Sequence, residues 1–357
     1  VYIKEFCDKN QVFTISDFIG IKYGKIPKLV TELIQIGILL IAISAQVIAM
    51  SYLTSQITGL DFFWSLVLSG GITLLYTSIG GLKSDIISDN LQSFIFLFLF
   101  VVMGVLIFLR IDLISIATLP ISNYNPIAFG GLWWFLGMFL FGGLFLIGMN
   151  QHWMRVISAK NAIIARKSFF YTIPFILIMF ALMLFFGLSS KVLLPNYAVD
   201  KVFFGLINLV LPNWMQGLGY VAIVCILMSS IDSFALGGSS IILNKLKKRN
   251  SVMVARSTTF MFGLIGLIIA FYWRSITSIA YLVITLSIIL VPIVVSGLFF
   301  KSVSKRAVVV SLIISSIVAF IAYPVFGNKT FIITFFISII LILRYDKILN
   351  LLKKTKP

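Results

Sequence analysis

The sequence predicts an all-α, polytopic helical membrane protein, and three observations predict it. Of 357 residues, 60% are hydrophobic and only 11% charged, with a mean hydropathy of +1.11. A soluble domain carries about 25% charged residues, too many to be built from this composition. Apolar runs of about 20 residues recur along the whole chain, the length a helix needs to cross a bilayer core. Lys and Arg gather in the short segments between those runs, so the net charge of +17 reads as topology and not as a nucleic-acid face. Cys7 and Cys225 lie far apart and suggest neither a disulfide framework nor a metal site. No cleavable signal pattern stands at the front.

The elements follow in order. The opening "VYIKEFCDKNQVFTISDFIGIKYGK" reads as a polar loop with a short interfacial helix around Asp17–Tyr23, started by Thr14 or Ser16 as cap. Residues 1–28 form this first cytoplasmic segment, 29–349 the transmembrane domain and 350–357 a basic cytoplasmic tail. Ten spans are expected at roughly 29–57, 62–82, 87–110, 130–149, 168–189, 215–243, 254–273, 276–299, 307–325 and 330–349. Only five of the 28 basic residues fall on the outer side: Arg110, Lys191, Lys201, Arg274 and Lys329. That asymmetry places both ends in the cytoplasm of a cell-membrane protein. The outer stretch "DKVFFGLINLVLP" is amphipathic, too short to span, and reads as a helix over the outer mouth. The first residue is Val and the first segment is polar, as expected of a fragment or a trimmed product.

Polar groups inside the spans carry the functional signal. Asp232, in "CILMSSIDSFALGGSS", lies about 18 Å of helix from the cytoplasmic end near Asn244, which is mid-bilayer. An intramembrane carboxylate costs several kcal/mol unless paired or solvated, so it marks a functional site by default. Ser229, Asp232 and Ser233 stand at i, i+3 and i+4 and share a face, with Ser230 one residue around. A small-residue packing seam accounts for the hydroxyls but not for the carboxylate. Carboxylate, hydroxyls and freed carbonyls together are ligands for a hard alkali cation. In "YTSIGGLKSDIISDNLQ", Asp85 fits a helix-start acid, while Asp89 and Gln92 lie a turn deeper and face inward. The pair Gly142-Gly143 weakens its helix and frees backbone groups, as close helix packing through the same pair also explains. The same two readings apply to Gly70-Gly71 and Gln46. His152, the single histidine, follows a span and reads as an interface residue.

Four stretches together resemble the sodium:solute symporter family. "FTISDFIGIKYG" resembles its Thr…Asp/Glu-Phe-Leu…Arg-Tyr-Gly loop, and "YTSIGGLKSDIISDNLQ" its Tyr-Thr…Gly-Gly-Leu…Thr-Asp…Gln signature. "NQHWMRVISAKNAIIAR" is similar to its Asn-Gln…Gln-Arg…Ala-Lys segment, and "ILMSSIDS" to its Met-Ser-Thr-x-Asp-Ser helix. The resemblance implies a leucine-transporter-type fold of two inverted repeats, here lacking its first core helices, with Na+-coupled uptake by alternating access. It places the main sodium site on Ser229, Ser230 and the Ile226 carbonyl, and a second ion site on Asp89, Asp232 and Ser233. It places the solute near the broken helix, on Gln46, Gly142, Gly143, Phe145 and Asn150. Sugar-transporting members carry Tyr and Trp gates before the Asn-Gln motif, where this chain reads "LFLIGM". On the family's plan the helices supplying the other half of the main sodium site stand upstream of residue 1.

These readings predict a symporter that imports a small organic solute (a sugar, amino acid, vitamin or organic acid), with the bilayer as its other partner and no nucleic acid. Two other classes stand against it. A symporter-like sensor or degenerate module would have lost transport. An intramembrane protease would need two aspartates at one depth, and Asp89 and Asp232 are expected at different depths, with no Ser-His pair. The chain is therefore expected not to be an enzyme. A proton taken by Asp232 is the alternative to sodium as driving ion.

Overall fold

A computed structural model describes residues 1–128, 130–197, 202–246, 251–300 and 303–354, and all regular structure among them is helical. In chain order the helices are α1 (Tyr2–Asn10), α2 (Ile15–Tyr23), α3 (Lys25–Thr58), α4 (Phe62–Arg110), α5 (Leu113–Ala117), α6 (Gly131–Phe141) and α7 (Asn150–Ser158). They continue as α8 (Ala162–Leu193), α9 (Val202–Val210), α10 (Asn213–Lys245), α11 (Val252–Tyr272), α12 (Ile276–Ile288), α13 (Leu290–Phe299), α14 (Lys305–Phe326) and α15 (Thr330–Lys354). Among the described residues nine stretches are long and apolar enough to cross a membrane. The ninth, Lys305–Arg344, holds α14 and α15 joined by a 3-10 turn at Gly327–Lys329, so each of the ten expected spans finds a helix. At 34 residues α3 is about 51 Å long, well beyond a ~30 Å hydrocarbon core, so it fits only tilted or projecting.

Helix breaks fall where the backbone dictates them. α4 bends at Gly81, whose φ of +70° suits a residue without Cβ. Pro292 has no N–H to give the Ile288 carbonyl, and the chain divides into α12 and α13 at Ile289. The Ser338 hydroxyl donates to the Ile289 carbonyl at 2.9 Å, which ties the break to α15.

The chain forms two compact units. The first comprises Val1–Gly81, Phe129–Ala165 and Ile231–Pro357, the second Leu82–Ala128 and Arg166–Ser230. In the first, α3 packs on α2, α11, α12 and α14, and α14 packs along α15. The opening segment holds two helices where the sequence suggested one. α1 follows a residue pattern too polar to stand out, and α2 is no surface helix: Ile15, Phe18 and Ile19 are fully buried. Phe18 meets Phe6 and Trp153 at centroid distances of 5.1 and 5.2 Å. Thr14 is the cap, and with Asp17 it closes a reciprocal capping box.

The second unit is built around Phe100, which meets Phe186 and Phe203 at 5.6 and 5.3 Å. The expected outer amphipathic stretch is α9, which buries Leu206, Ile207 and Val210 in this core. Its first residues, Asp200 and Lys201, lie outside the described residues, as do Lys247, Lys248, Arg249, Lys301 and the last three residues of the tail. Along α8 only 6% of the apolar window is buried, against 72% along Ile276–Phe299. Phe169, Phe170, Leu177, Phe180 and Leu184 are exposed there, the surface a lipid-facing helix presents.

Candidate ion and solute site

The second unit gathers part of the expected sodium set on one turn of α10. The Ser229 hydroxyl donates to Asp89 Oδ1, on the stretch of α4 beyond its bend. Ser230 donates to the Ile226 carbonyl at 3.2 Å, the i−4 bond a helical serine makes when no better acceptor is offered. Carboxylate, two hydroxyls and a carbonyl therefore lie among themselves, and each hydroxyl proton is spent on an oxygen. That donor set fits a hard monovalent cation, because a hydroxyl swung off its acceptor presents lone pairs to the ion. Asp89 and Ser229 are both half-buried. The family resemblance assigns Asp89 to a second site with Asp232 and Ser233, whereas here its bond is to Ser229 of the main set.

Asp232 and Ser233 belong to the first unit, and there their partners are side chains that the sequence did not single out. Asp232 is 1% exposed and accepts at Oδ1 from the buried Thr77 hydroxyl. Ser233 accepts from Arg155 Nη2 at 2.7 Å, a charge-assisted bond from α7. Thr77 lies inside the "YTSIGG" stretch, one helical face with Thr73 and Ser69, and that i, i+4 run of hydroxyls was the available signal.

Of the solute set, Asn150 is a hub. It is fully buried, and its Oδ1 accepts from the Ile15 N–H at 3.2 Å. Its Nδ2 donates to the Gly237 carbonyl at 3.0 Å and the Ser240 hydroxyl at 3.1 Å. Its backbone N–H donates to Gln35 Oε1 at 3.0 Å, while Gln35 Nε2 donates to the Gly148 carbonyl. One side chain thus ties α2, α7 and α10 together, and its main chain ties in α3. The chain break that the sequence placed here exists. α6 gives way to a 3-10 segment over Gly142–Gly148, Met149 is extended, and α7 starts at Asn150. Gly143 is exposed with open space at its Cβ position, and Phe145 packs into the first unit's core. Gln46 is half-buried on α3 and makes no hydrogen bond among the described residues. Gln35 and Gly148 went unread in the sequence. Gln35 precedes Gln46 by eleven residues, three turns on one face, which was a readable sign. Gly148 approaches the Ser287 carbonyl so closely that a Cβ would collide at 1.9 Å, a contact no local pattern announces.

A polar cluster closes the foot of the first unit. Asp17 accepts from Lys28 Nζ at 2.6 Å and from Asn244 Nδ2 at 2.7 and 2.8 Å. Burial alone raises its pKa, but the Lys28 and Asn244 hydrogen bonds outweigh burial and hold the carboxyl below its ordinary value. His152 on α7 is pushed down to about 4, first by burial and then by the Arg155 charge, so it is neutral at pH 7. Among the described residues no group of three His, Cys, Asp or Glu side chains is placed to hold a metal ion.

Comparison with known proteins bears on this geometry. The family model described as the sodium:solute symporter family matches residues 1–314. An uncharacterized symporter, YodF, of Bacillus subtilis (strain 168) is 24% identical over 345 residues, covering 88% of this chain and 68% of that protein. A solved structure of a Na+-coupled sialic acid symporter, substrate-bound and outward-open, superposes with a TM-score of 0.81 at 16% identity. It covers 95% of this chain and 78% of that one. That likeness shows the leucine-transporter-type fold.

Proposed function

Because the chain belongs to the sodium:solute symporter family, we propose that it imports a small organic solute across a cell membrane by alternating access, with both its ends in the cytoplasm. Family membership makes it a multi-pass membrane transporter and not an enzyme, with Na+ as the coupling ion. Ser229, Ser230 and the Ile226 carbonyl hold the ion in this reading, and Asp89 supplies the negative charge beside it. Asp232 and Ser233 become second-ion ligands in the same scheme only once Arg155 leaves the Ser233 hydroxyl. Gln46, Gly142, Gly143, Phe145 and Asn150 line or shape the solute site, with Asn150 acting through the backbone it fixes.

The observation that carries the reading is the Ser229 hydroxyl on the Asp89 carboxylate, within the same turn as the Ser230–Ile226 pair. Each ion moved inward gains about 2.3 kcal/mol per 100 mV of membrane potential. Coupling requires that Na+ bind one conformation better than the other, because only differential affinity shifts an equilibrium. A charged cradle completed in one state and opened in the other supplies that difference.

The test uses the ion itself as probe. The purified chain in nanodiscs is melted in NaCl and in KCl at equal ionic strength. Na+ is expected to raise the melting temperature over K+, and Ser229→Ala with Ser230→Ala to abolish that difference while leaving the K+ value within about 1 kcal/mol of the unaltered chain. An undiminished Na+ shift in the double variant removes the assignment.

A further inference from the structure

At the start of α3 and α14 the first unit carries an open groove of about 570 Å³, and we infer that it binds the headgroup and upper acyl chain of an anionic phospholipid. Lys25, Lys305 and Arg306 edge the groove, and Ile26, Val309 and Val310 form its apolar walls. Its size falls in the roughly 300–1,000 Å³ range of small-ligand sites. All three cations are exposed, and none forms an ion pair or hydrogen bond among the described residues. Their neighbour Lys28 differs: Asp17 takes it at 2.6 Å and Glu32 at 3.9 Å. The free charge is thus concentrated on the groove side.

The backbone sharpens the demand for an anion. Lys25 opens α3 and Lys305 opens α14, and neither helix carries an acid in its first turn. Cations there face the positive ends of two helices, an arrangement that a negative group relieves. Gly24 lets the two starts meet: at φ +99° it needs no Cβ, and the Lys305 side chain lies alongside, its Nζ 3.8 Å from where a Cβ would stand. The Tyr23 hydroxyl fixes this corner by bonding Ser296 Oγ at 2.8 Å.

Both helices are membrane spans, so their first residues stand at headgroup depth, with the apolar walls continuing into the chain region. Basic pockets between spans at this depth, on the Lys/Arg-rich side, recognise acidic lipid headgroups. A free phosphate satisfies the cations but leaves Val309, Val310 and Ile26 without a partner, so the occupant is a lipid.

Native mass spectrometry of the purified, detergent-solubilised chain tests this, titrated with phosphatidylglycerol and with phosphatidylcholine of the same acyl chains. Phosphatidylglycerol is expected to bind at least tenfold more tightly. Lys25→Gln, Lys305→Gln and Arg306→Gln together are expected to weaken it about a hundredfold, and Lys160→Gln with Lys167→Gln to leave it unchanged. Val309→Trp, which fills the apolar half and keeps every cation, also weakens it. Equal retention of the two lipids, or the triple variant holding phosphatidylglycerol as before, overturns the inference. So does displacement of the lipid by inorganic phosphate at equal concentration. Should the triple variant fail to fold, the lipid ratio in the unaltered chain and the Val309→Trp value decide.

Discussion

Two stretches of α10 carry hydroxyls in the same helical rhythm, yet their partners differ in kind. From Ile226 to Ser230, in the second unit, the hydroxyls point their protons at oxygen: Ser229 at the Asp89 carboxylate and Ser230 at a carbonyl. From Ser233 to Asn244, in the first unit, four groups meet fixed nitrogen donors or supply them. Arg155 bonds Ser233, Asn150 bonds Gly237 and Ser240, and Asn244 bonds Asp17. A cation can replace a hydroxyl proton beside a carboxylate, because its full positive charge draws the carboxylate more strongly than the proton's partial one. It gains nothing where a guanidinium or amide already sits. On the proposed reading, identical residue types therefore do two jobs: one stretch is exchangeable, the other is scaffold.

The largest effect that separates them is on Asn150. Asn150→Ala removes three side-chain hydrogen bonds and orphans the buried Ile15 N–H, while the Gly237 carbonyl keeps the Ser240 hydroxyl. The buried orphan costs about 1–3 kcal/mol and the two other bonds about 1 kcal/mol each, so a loss of roughly 3–5 kcal/mol is expected. Scanning fluorimetry in K+ reads it directly. Ser229→Ala is expected to cost under about 1 kcal/mol in the same assay and to act only on the Na+ response. Equal destabilisation by the two variants would break the distinction between scaffold and cradle.

That contrast also marks what the sequence disclosed. The spans were legible because apolar runs of bilayer length seldom occur in chains that fold in water, and the Thr14 cap because its signature is local. Asp232 announced itself by its cost in lipid, and Ser229 by sharing its face. Their partners were a different matter. Thr77 stands 155 residues from Asp232 and Asp89 140 from Ser229. Periodicity orients a side chain on its own helix and is silent about the helix opposite. The resemblance to a family proposed Asn150 for solute, and only packing reveals how fully its polar atoms are already engaged. α1 was missed because a short polar helix gains its stability from what it rests on, here Lys4 against the Ile157 carbonyl at 2.7 Å.

A middling effect is expected at the foot of the first unit. Asp17→Asn keeps the shape but gives up the charge that Lys28 and Asn244 hold. Hydrogen bonds to a charged group are worth about 1.5–3 kcal/mol, so a loss of about 2 kcal/mol is expected at pH 7. The sign with pH is fixed by the lowered pKa of Asp17. Its contribution is complete above the unfolded value of about 3.9 and disappears as pH falls through the folded one. The stability gap between wild type and Asp17→Asn should therefore narrow as the pH falls below about 3.9. A gap constant over that range would show that the carboxylate contributes through shape alone.

The smallest effect belongs to His152, beside the scaffold residue Asn150 on α7. Its folded pKa of about 4 lies below the unfolded value of about 6.5. The unfolded chain takes up this proton first, so stability is full above pH 6.5 and falls as pH drops toward 4. The unattenuated linkage at pH 5 is about 2 kcal/mol, and partial exposure of the ring trims it to about 1 kcal/mol. His152→Gln cannot take the proton, so its melting temperature should match wild type at pH 7.5 and exceed it at pH 5. The cause is built into the fold: burial expels the charged form, and the nearby Arg155, bonded to Ser233, opposes a second cation. Combining His152→Gln with Arg155→Gln distinguishes the two, since the Arg155 share of the acid sensitivity vanishes in the Arg155 variant while the burial share persists. Parallel pH curves for wild type and His152→Gln would place the imidazole in water, outside the packed scaffold to which Asn150 and Arg155 belong.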